Sequence, residues 1–172
     1  MKSDQPRDSN APSIERKGVR AGLAVVVLSS VALLLGACAS GPPKPASVSG
    51  SLLAAADLNP SVNQRPSPLL LRIYELRSDA AFNRADFMSL YQSEQSALGA
   101  DIVSREEVTM QPGESRPYNK QLGAETRFIA VFAAYRNLEQ ARWRSLAPVA
   151  AGKPQKLLIR ADALAVTVQV QP

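Results

Sequence analysis

The most constraining feature of the sequence is a charge-free apolar run near its amino terminus, from Ala21 to Ala37. It follows a polar segment, residues 1–20, which contains five basic and three acidic residues. A basic segment, an apolar segment and small residues at its end are typical of a secretory signal peptide. A run of this length also approaches what a membrane-spanning helix needs, so an uncleaved anchor is the alternative interpretation.

The residues that end this run favour cleavage. The sequence Leu35-Gly36-Ala37-Cys38 resembles the bacterial lipobox, in which small residues precede a cysteine that becomes lipidated. Small side chains leave room for the peptidase, and the Cys38 thiol is nucleophilic enough to be alkylated to a thioether. We therefore predict a lipoprotein signal peptide over residues 1–37 and lipidation of Cys38. By similarity to known sorting rules, Ala39 favours the outer membrane, with the protein body on its periplasmic face.

Removal of the signal peptide changes the charge of the protein. The full chain has 20 basic and 15 acidic residues, whereas residues 38–172 have 15 and 12, a net charge of +3. Because much of the basic excess belongs to the targeting segment, the charge does not indicate a nucleic-acid partner. The expected membrane attachment is through acyl chains on Cys38, since two or more chains hold a protein stably.

Residues that carry catalytic or metal chemistry are sparse. The chain has no His and a single Cys, which closes the His-dependent catalytic routes and Cys-rich zinc sites. Glu106 and Glu107 are adjacent carboxylates, but on a strand they would point to opposite faces and could not act as an acid/base pair. We predict that the protein is not an enzyme and that it has no metal and no cofactor besides the acyl chains.

Composition divides the chain after Cys38. Apart from Lys44, residues 38–47 are small residues and prolines, a composition typical of an extended tether because it cannot pack a core. Residues 48–172 are predicted to form one periplasmic domain. Its short apolar or alternating segments indicate β-strands at residues 69–74, 108–110, 128–135 and 164–170.

One segment, from Ser78 to Gly99, has apolar residues at helical spacing instead. We predict a helix there with Asn83 as its N-cap, Asp86 as an acid in its first turn and Gly99 at its end. Several short strands, turns rich in Pro and Gly, and one helical insertion indicate an all-β fold, a two-sheet β-sandwich.

A long polar loop joins two of the predicted strands. Residues 57–68 contain three prolines and exceed the usual length of a hairpin connection. Long ordered loops on rigid scaffolds often bind partners, and prolines reduce the entropy lost on capture. The residues alone leave two interpretations open, a binding loop and a plain crossover stiffened for stability.

Motifs in the mature chain resemble one known family. Leu58-Asn59-Pro60 and the stretch Arg65-Pro66-Ser67-Pro68 leading into Leu69–Leu76 are similar to the hallmark of TssJ, the outer-membrane lipoprotein family of the type VI secretion system. Phe82, Asp86-Phe87 and Leu90 resemble the helix that follows in that family, and residues 129–136 with Trp143-Arg144 resemble a later segment. Gln64 stands where the family often has Gly.

The resemblance implies a transthyretin-like β-sandwich with a helical insertion, anchored by acyl chains in the outer membrane. It also implies a partner, the periplasmic C-terminal domain of the inner-membrane protein TssM, and a role in assembling the trans-envelope complex. In the family the loop between the first two strands is the main contact. The corresponding residues here are Leu58, Asn59, Pro60, Ser61, Val62, Asn63, Gln64, Arg65 and Pro66.

Within that loop, we expect the exposed side chains of Asn59 and of residues 62–65 to contact TssM, while Pro60 and Pro66 hold the shape. Arg72 and Trp143 are assigned to the fold, and the turn at residues 136–138 is the alternative contact surface. The competing function is a periplasmic lipoprotein that binds a glycan or small molecule in a concave site. Few aromatic residues are available to stack on sugar rings, so no small-molecule substrate is expected.

Overall fold

The computed structural model describes residues 44–172. The predicted signal peptide, Cys38 and residues 39–43 of the predicted tether lie outside the described residues. Within residues 44–172, no helix is long and apolar enough to cross a membrane.

Eight strands form two four-stranded sheets. The strands are β1 (Ser47–Ala54), β2 (Leu69–Leu76), β3 (Ile102–Met110), β4 (Ser115–Gln121), β5 (Phe128–Ala133), β6 (Arg144–Pro148), β7 (Pro154–Ala161) and β8 (Val166–Gln171). One sheet has the order β4-β1-β7-β8 and the other β3-β2-β5-β6. Strands β1 and β7 are parallel, and all other neighbours are antiparallel. The predicted two-sheet sandwich is confirmed.

The folded domain begins slightly before its predicted start at residue 48. Ser47 already pairs with Gln121 in the sheet, and Ala46 is buried in the core. The Ala46 carbonyl also accepts a hydrogen bond from Leu122 N at 2.8 Å. The prediction that the tether extends to residue 47 is therefore wrong, because a small apolar side chain after the prolines can pack and its backbone is paired.

The main core lies between the two sheets, and the strand patterns follow from it. Val166 and Val168 of β8 are buried there and the half-buried Val170 packs against the same core, which gives the alternating pattern predicted for that strand. Strand β5 is apolar on both faces instead. Ile129 and Val131 belong to the inter-sheet core, whereas Phe132 lies in a second apolar cluster beneath the helical segment. A strand covered on both sides needs no polar face.

The helical segment between β2 and β3 differs from its prediction. It forms two helices, α1 (Ala80–Arg84) and α2 (Phe87–Leu98), followed by a short 3₁₀ turn (Gly99–Asp101). The true N-cap of the long helix is Asp86, whose carboxylate accepts a hydrogen bond from Ser89 N at 2.9 Å. Asn83 lies inside α1, so its assignment as the N-cap is wrong. Gly99 ends α2 as predicted, with a φ of 52°.

Two strand arginines fix these helices to the sheet. The Arg72 guanidinium donates to the Leu90 and Tyr91 carbonyls, both at 2.9 Å, and pairs with Glu94 at 3.2 Å. Arg144 donates to the Phe82 and Ala85 carbonyls at 3.0 and 2.7 Å. Phe82 and Ala85 lie at the end of α1, where backbone carbonyls lack helical partners. Leu90 and Tyr91 precede Ser93, whose non-helical dihedral angles interrupt the regular geometry of α2.

Trp143 packs against both apolar clusters and meets Phe87 edge to face, with ring centroids 5.4 Å apart. Arg72 and Trp143 therefore have the structural roles predicted for them.

The strand connections alternate between the two ends of the sandwich. One end, here called the loop pole, carries four connections: residues 55–68, 111–114, 134–143 and 162–165. The start of β1 and the end of β8 lie at the opposite end. At about 3.3 Å per residue, the eight residues of β1 separate Ser47 from the loop pole by roughly 25 Å.

Candidate functional site

The predicted partner-binding loop is built on a buried asparagine. Asn59 is 3% exposed, and its backbone has a φ of 46°, a conformation that Asn tolerates better than most residues. Its Nδ2 donates to the Pro68 carbonyl at 2.9 Å, and its Oδ1 accepts from Arg136 N at 3.0 Å. Its own carbonyl accepts from the Ser67 hydroxyl. The prediction that Asn59 is exposed is wrong, because its polar groups are hydrogen-bonded within the pole.

The tip of the loop is a tight turn. Ser61 N donates to the Arg65 carbonyl at 2.8 Å, and Gln64 N donates to the Ser61 carbonyl at 2.9 Å. This pair of bonds is the pattern of a three-residue hairpin connection whose third residue is left-handed. Gln64 has a φ of 58°, in the left-handed region that glycine adopts more readily than other residues. The backbone therefore keeps the conformation that glycine favours.

The nine predicted contact residues divide by exposure. Leu58 is fully buried with Asn59, and Pro60 and Ser61 are half-buried. The remaining five are exposed: Val62, Asn63, Gln64, Arg65 and Pro66. Val62 is 95% exposed, the most exposed large apolar side chain among residues 44–172. Val62 is thus a solvent-exposed apolar group on a hydrogen-bonded turn.

A surface cleft of about 460 Å³ adjoins this tip. Three connections line it: residues 60–62 and 64 from the first, Arg136, Asn137 and Gln140 from the third, and Leu164 from the fourth. The sequence indicated residues 136–138 only as an alternative surface, and it gave no signal for Gln140 or Leu164. Residues of the third and fourth connections lie close together because their backbones are hydrogen-bonded, with Arg142 N donating to the Leu164 carbonyl at 2.8 Å.

The connections of the loop pole are hydrogen-bonded to one another. Asn59 N donates to the Ala163 carbonyl at 3.1 Å, and the Tyr135 hydroxyl donates to the Asp162 carbonyl at 3.0 Å. Burial, with the nearby Asp162 charge as a smaller cause, raises the pKa of Tyr135, so it remains a neutral donor. The pole is consequently a connected surface and not a set of independent loops.

Within residues 44–172, the loop pole offers surface for contacts, and no cluster of metal-ligating side chains is present. Among the described residues, no three His, Cys, Asp or Glu side chains are grouped as metal ligands would be. Glu106 and Glu107 point to opposite faces of β3, as predicted. Glu107 pairs with Arg72 at 2.9 Å, whereas Glu106 accepts from the Tyr118 hydroxyl at 3.2 Å. Both carboxylates have structural partners.

Comparisons with known proteins agree with the sequence motifs. Residues 46–169 match the model of the family described as type VI secretion lipoprotein, VasD, EvfM, TssJ. The crystal structure of the type VI secretion lipoprotein TssJ1 from Pseudomonas aeruginosa is 40% identical, with a TM-score of 0.71 over 76% of this chain and 98% of that one. No curated protein sequence is a match to this chain.

Two further structures share the fold. Serratia marcescens Lip, a membrane-bound component of the type VI secretion system, is 25% identical, with a TM-score of 0.65 over 72% of this chain and 96% of that one. A chain of a type VI membrane complex is 24% identical, with a TM-score of 0.60 over 73% and 98%. From the family match and the TssJ1 likeness together, we conclude that the chain belongs to the TssJ family of type VI secretion lipoproteins.

Proposed function

We propose that this protein is an outer-membrane lipoprotein that binds the periplasmic C-terminal domain of TssM through its loop pole and so helps to assemble the trans-envelope complex. The observation that carries the proposal is the exposed Val62 on a turn whose base is fixed by Asn59. Membership of the TssJ family supports it.

The loop is suited to binding because it is already ordered. Capture of a flexible loop costs conformational entropy for each side chain and backbone segment that becomes fixed. Here the turn bonds of Ser61 and the bonds of Asn59 hold the backbone before any partner arrives. The apolar surface of Val62 therefore contributes to affinity with a small ordering cost.

The chain enters the described domain at the end opposite the loop pole. Signal peptide 1–37 would be removed, Cys38 would carry the acyl chains, and residues 39–45 would form the tether that leads to β1. Because β1 runs from its start at Ser47 towards the loop pole, the proposed contact surface lies at the end of the domain opposite the start of β1. The function is a mechanical link that requires neither catalysis nor a cofactor beyond the acyl chains.

The test is the affinity of loop-tip variants for the periplasmic domain of TssM. The double variant Val62→Ser, Asn63→Ser changes exposed side chains and leaves the Asn59 bonds in place. We expect calorimetry with the detergent-solubilised lipoprotein to show at least about a tenfold loss of affinity, since apolar anchors at interface centres dominate binding.

A matched control changes two exposed residues at the opposite end, Ala151→Ser with Lys153→Ser, and should bind as the unmodified protein does. Equal affinity for the loop-tip variant, with its unfolding transition unchanged, would place the TssM contact elsewhere.

A further inference from the structure

The cleft beside the loop tip has positive charge and no negative charge among its lining residues. Arg136 is the one ionisable side chain that lines it, and its other lining residues are neutral. Within residues 44–172, Arg136 takes part in no ion pair, and neither do the neighbouring pole residues Arg65 and Arg142. By contrast, Arg116 and Arg160 of the same pole pair with Glu114 and Asp162. Three cations of the pole are thus available to a partner.

The backbone beneath Arg136 is fixed while its side chain is free. Arg136 N donates to Asn59 Oδ1, and the turn that follows is closed by Ala141 N donating to the Asn137 carbonyl at 3.0 Å. An exposed guanidinium on a fixed backbone is a suitable partner for a carboxylate, because its planar donors match two oxygens at once.

Apolar groups complete the cleft. Pro60 and Val62 line it on the loop side, and Leu164 lines it on the other. Apolar walls reduce the water around a bound charge and strengthen its ion pair. The cleft therefore combines one cationic side chain with apolar walls that can pack against the aliphatic part of an acidic side chain.

We propose that this cleft receives an acidic side chain of the periplasmic partner, with Arg136 as its ion-pair partner and Val62 beside its apolar stem. The inference rests on the proposed function and specifies the chemistry of the partner surface. The nearby Glu139 is exposed and does not line the cleft, so it leaves Arg136 available. A protein occupant is favoured over an anionic lipid because β1 places this pole away from the tethered end.

The test is charge reversal with the detergent-solubilised lipoprotein and the periplasmic domain of TssM. We expect Arg136→Glu to weaken binding at least about tenfold at low salt, and Arg136→Lys to weaken it less. The loss should shrink as NaCl rises from about 0.05 to about 0.5 M, since salt screens exposed charges. Replacing the matching TssM acid with Lys should restore binding to Arg136→Glu.

The matched control is Arg84→Glu on α1, an exposed arginine outside the pole with the same change in charge, which should bind normally. If Arg136→Glu binds as the unmodified protein while the Val62→Ser, Asn63→Ser variant is weakened, the acidic-cleft inference is wrong and the proposed function stands. Absence of binding by the unmodified protein would overturn both.

A competition experiment distinguishes an acidic side chain from a lipid phosphate as the anion that the cleft binds. At matched ionic strength, a glutamate-rich peptide should displace TssM in an Arg136-dependent manner. If glycerol phosphate displaces it and the peptide does not, the cleft recognises a lipid headgroup and the inference is overturned.

Discussion

At the scale of single residues, Asn59 fixes the base of the loop tip from a buried position. Its amide joins the first connection of the loop pole to the third through Arg136 N, and to the start of β2 through the Pro68 carbonyl. Loss of a buried hydrogen-bonding group leaves its partners unsatisfied, at a cost of about 1–3 kcal/mol. The Leu58-Asn59-Pro60 motif therefore supports the loop tip, and the exposed residues after it form the surface that we propose TssM contacts.

The left-handed Gln64 gives a prediction at the same scale. A side chain at a positive φ costs about 1–2 kcal/mol, whereas glycine loses about 0.5–1 kcal/mol through the entropy of the unfolded chain. We expect Gln64→Gly to raise the free energy of unfolding by about 0.5–1 kcal/mol, measured by urea denaturation. Gln95→Gly, at an exposed position of α2, should lower it by about 1 kcal/mol. Destabilisation by Gln64→Gly would contradict the assigned backbone conformation.

At the scale of elements, a buried charge joins the end of β2 to the β4–β5 connection. The Glu75 side chain is 3% exposed and contacts Lys120 Nζ at 2.9 Å, Gly123 N at 2.8 Å and the Thr126 hydroxyl at 2.7 Å. Burial alone would raise the pKa of Glu75, but the bonds from Lys120, Gly123 and Thr126 together outweigh it, so the pKa lies below its ordinary value. The carboxylate thus orders residues 122–127 at the end opposite the loop pole.

The sign of this shift predicts how stability depends on pH. A carboxyl with a lowered folded-state pKa stabilises the protein fully above its unfolded pKa of about 4.3, and this contribution is lost as the pH falls through the folded value. We expect Glu75→Gln to lower the free energy of unfolding by about 2 kcal/mol at pH 7. The difference from the unmodified protein should shrink below about pH 4.

Urea denaturation at the two pH values measures this difference. Glu125→Gln serves as the control because Glu125 forms an exposed ion pair with Arg77, which should contribute less than about 1 kcal/mol. A Glu75→Gln deficit that is equal at both pH values would show that the charge of the carboxylate is not the cause.

The elements also show which features the sequence could predict. Alternation in residues 164–170 and the two-sided apolar run at residues 128–135 identified β8 and β5, because each pattern depends on local spacing. The break between α1 and α2 was missed. It depends on Arg144, a distant residue that binds the Phe82 and Ala85 carbonyls, and on Asp86 acting as the cap of the second helix.

The candidate site, too, could be predicted only where it depends on local sequence. The motif indicated the loop at residues 58–66, but not the cleft beside it, whose lining comes from connections separated by about a hundred residues along the chain. Asn59 was assigned an exposed role because the resemblance places it in that loop. Its burial depends on Arg136 and Pro68, which no local pattern associates with it.

At the scale of the whole molecule, the two ends of the sandwich carry different features. Both termini of the described domain lie at one end, and the cleft and the loop tip lie at the other. A packed core therefore separates Ser47, at the start of β1, from the surface that we propose TssM contacts. Strand β1, which connects the two ends, is hydrogen-bonded on both sides, to β4 and β7.

The most direct test of the account is photo-crosslinking in cells with the full-length protein carrying a photoreactive residue in place of Val62. We predict a crosslink to TssM from this position and none from the same residue placed at Ala151, at the opposite end. In a Cys38→Ser background the Val62 crosslink should be strongly reduced, because the unlipidated protein is not held at the outer membrane. A folded, membrane-anchored protein that gives no crosslink at Val62, or equal crosslinks from both positions, would contradict the account.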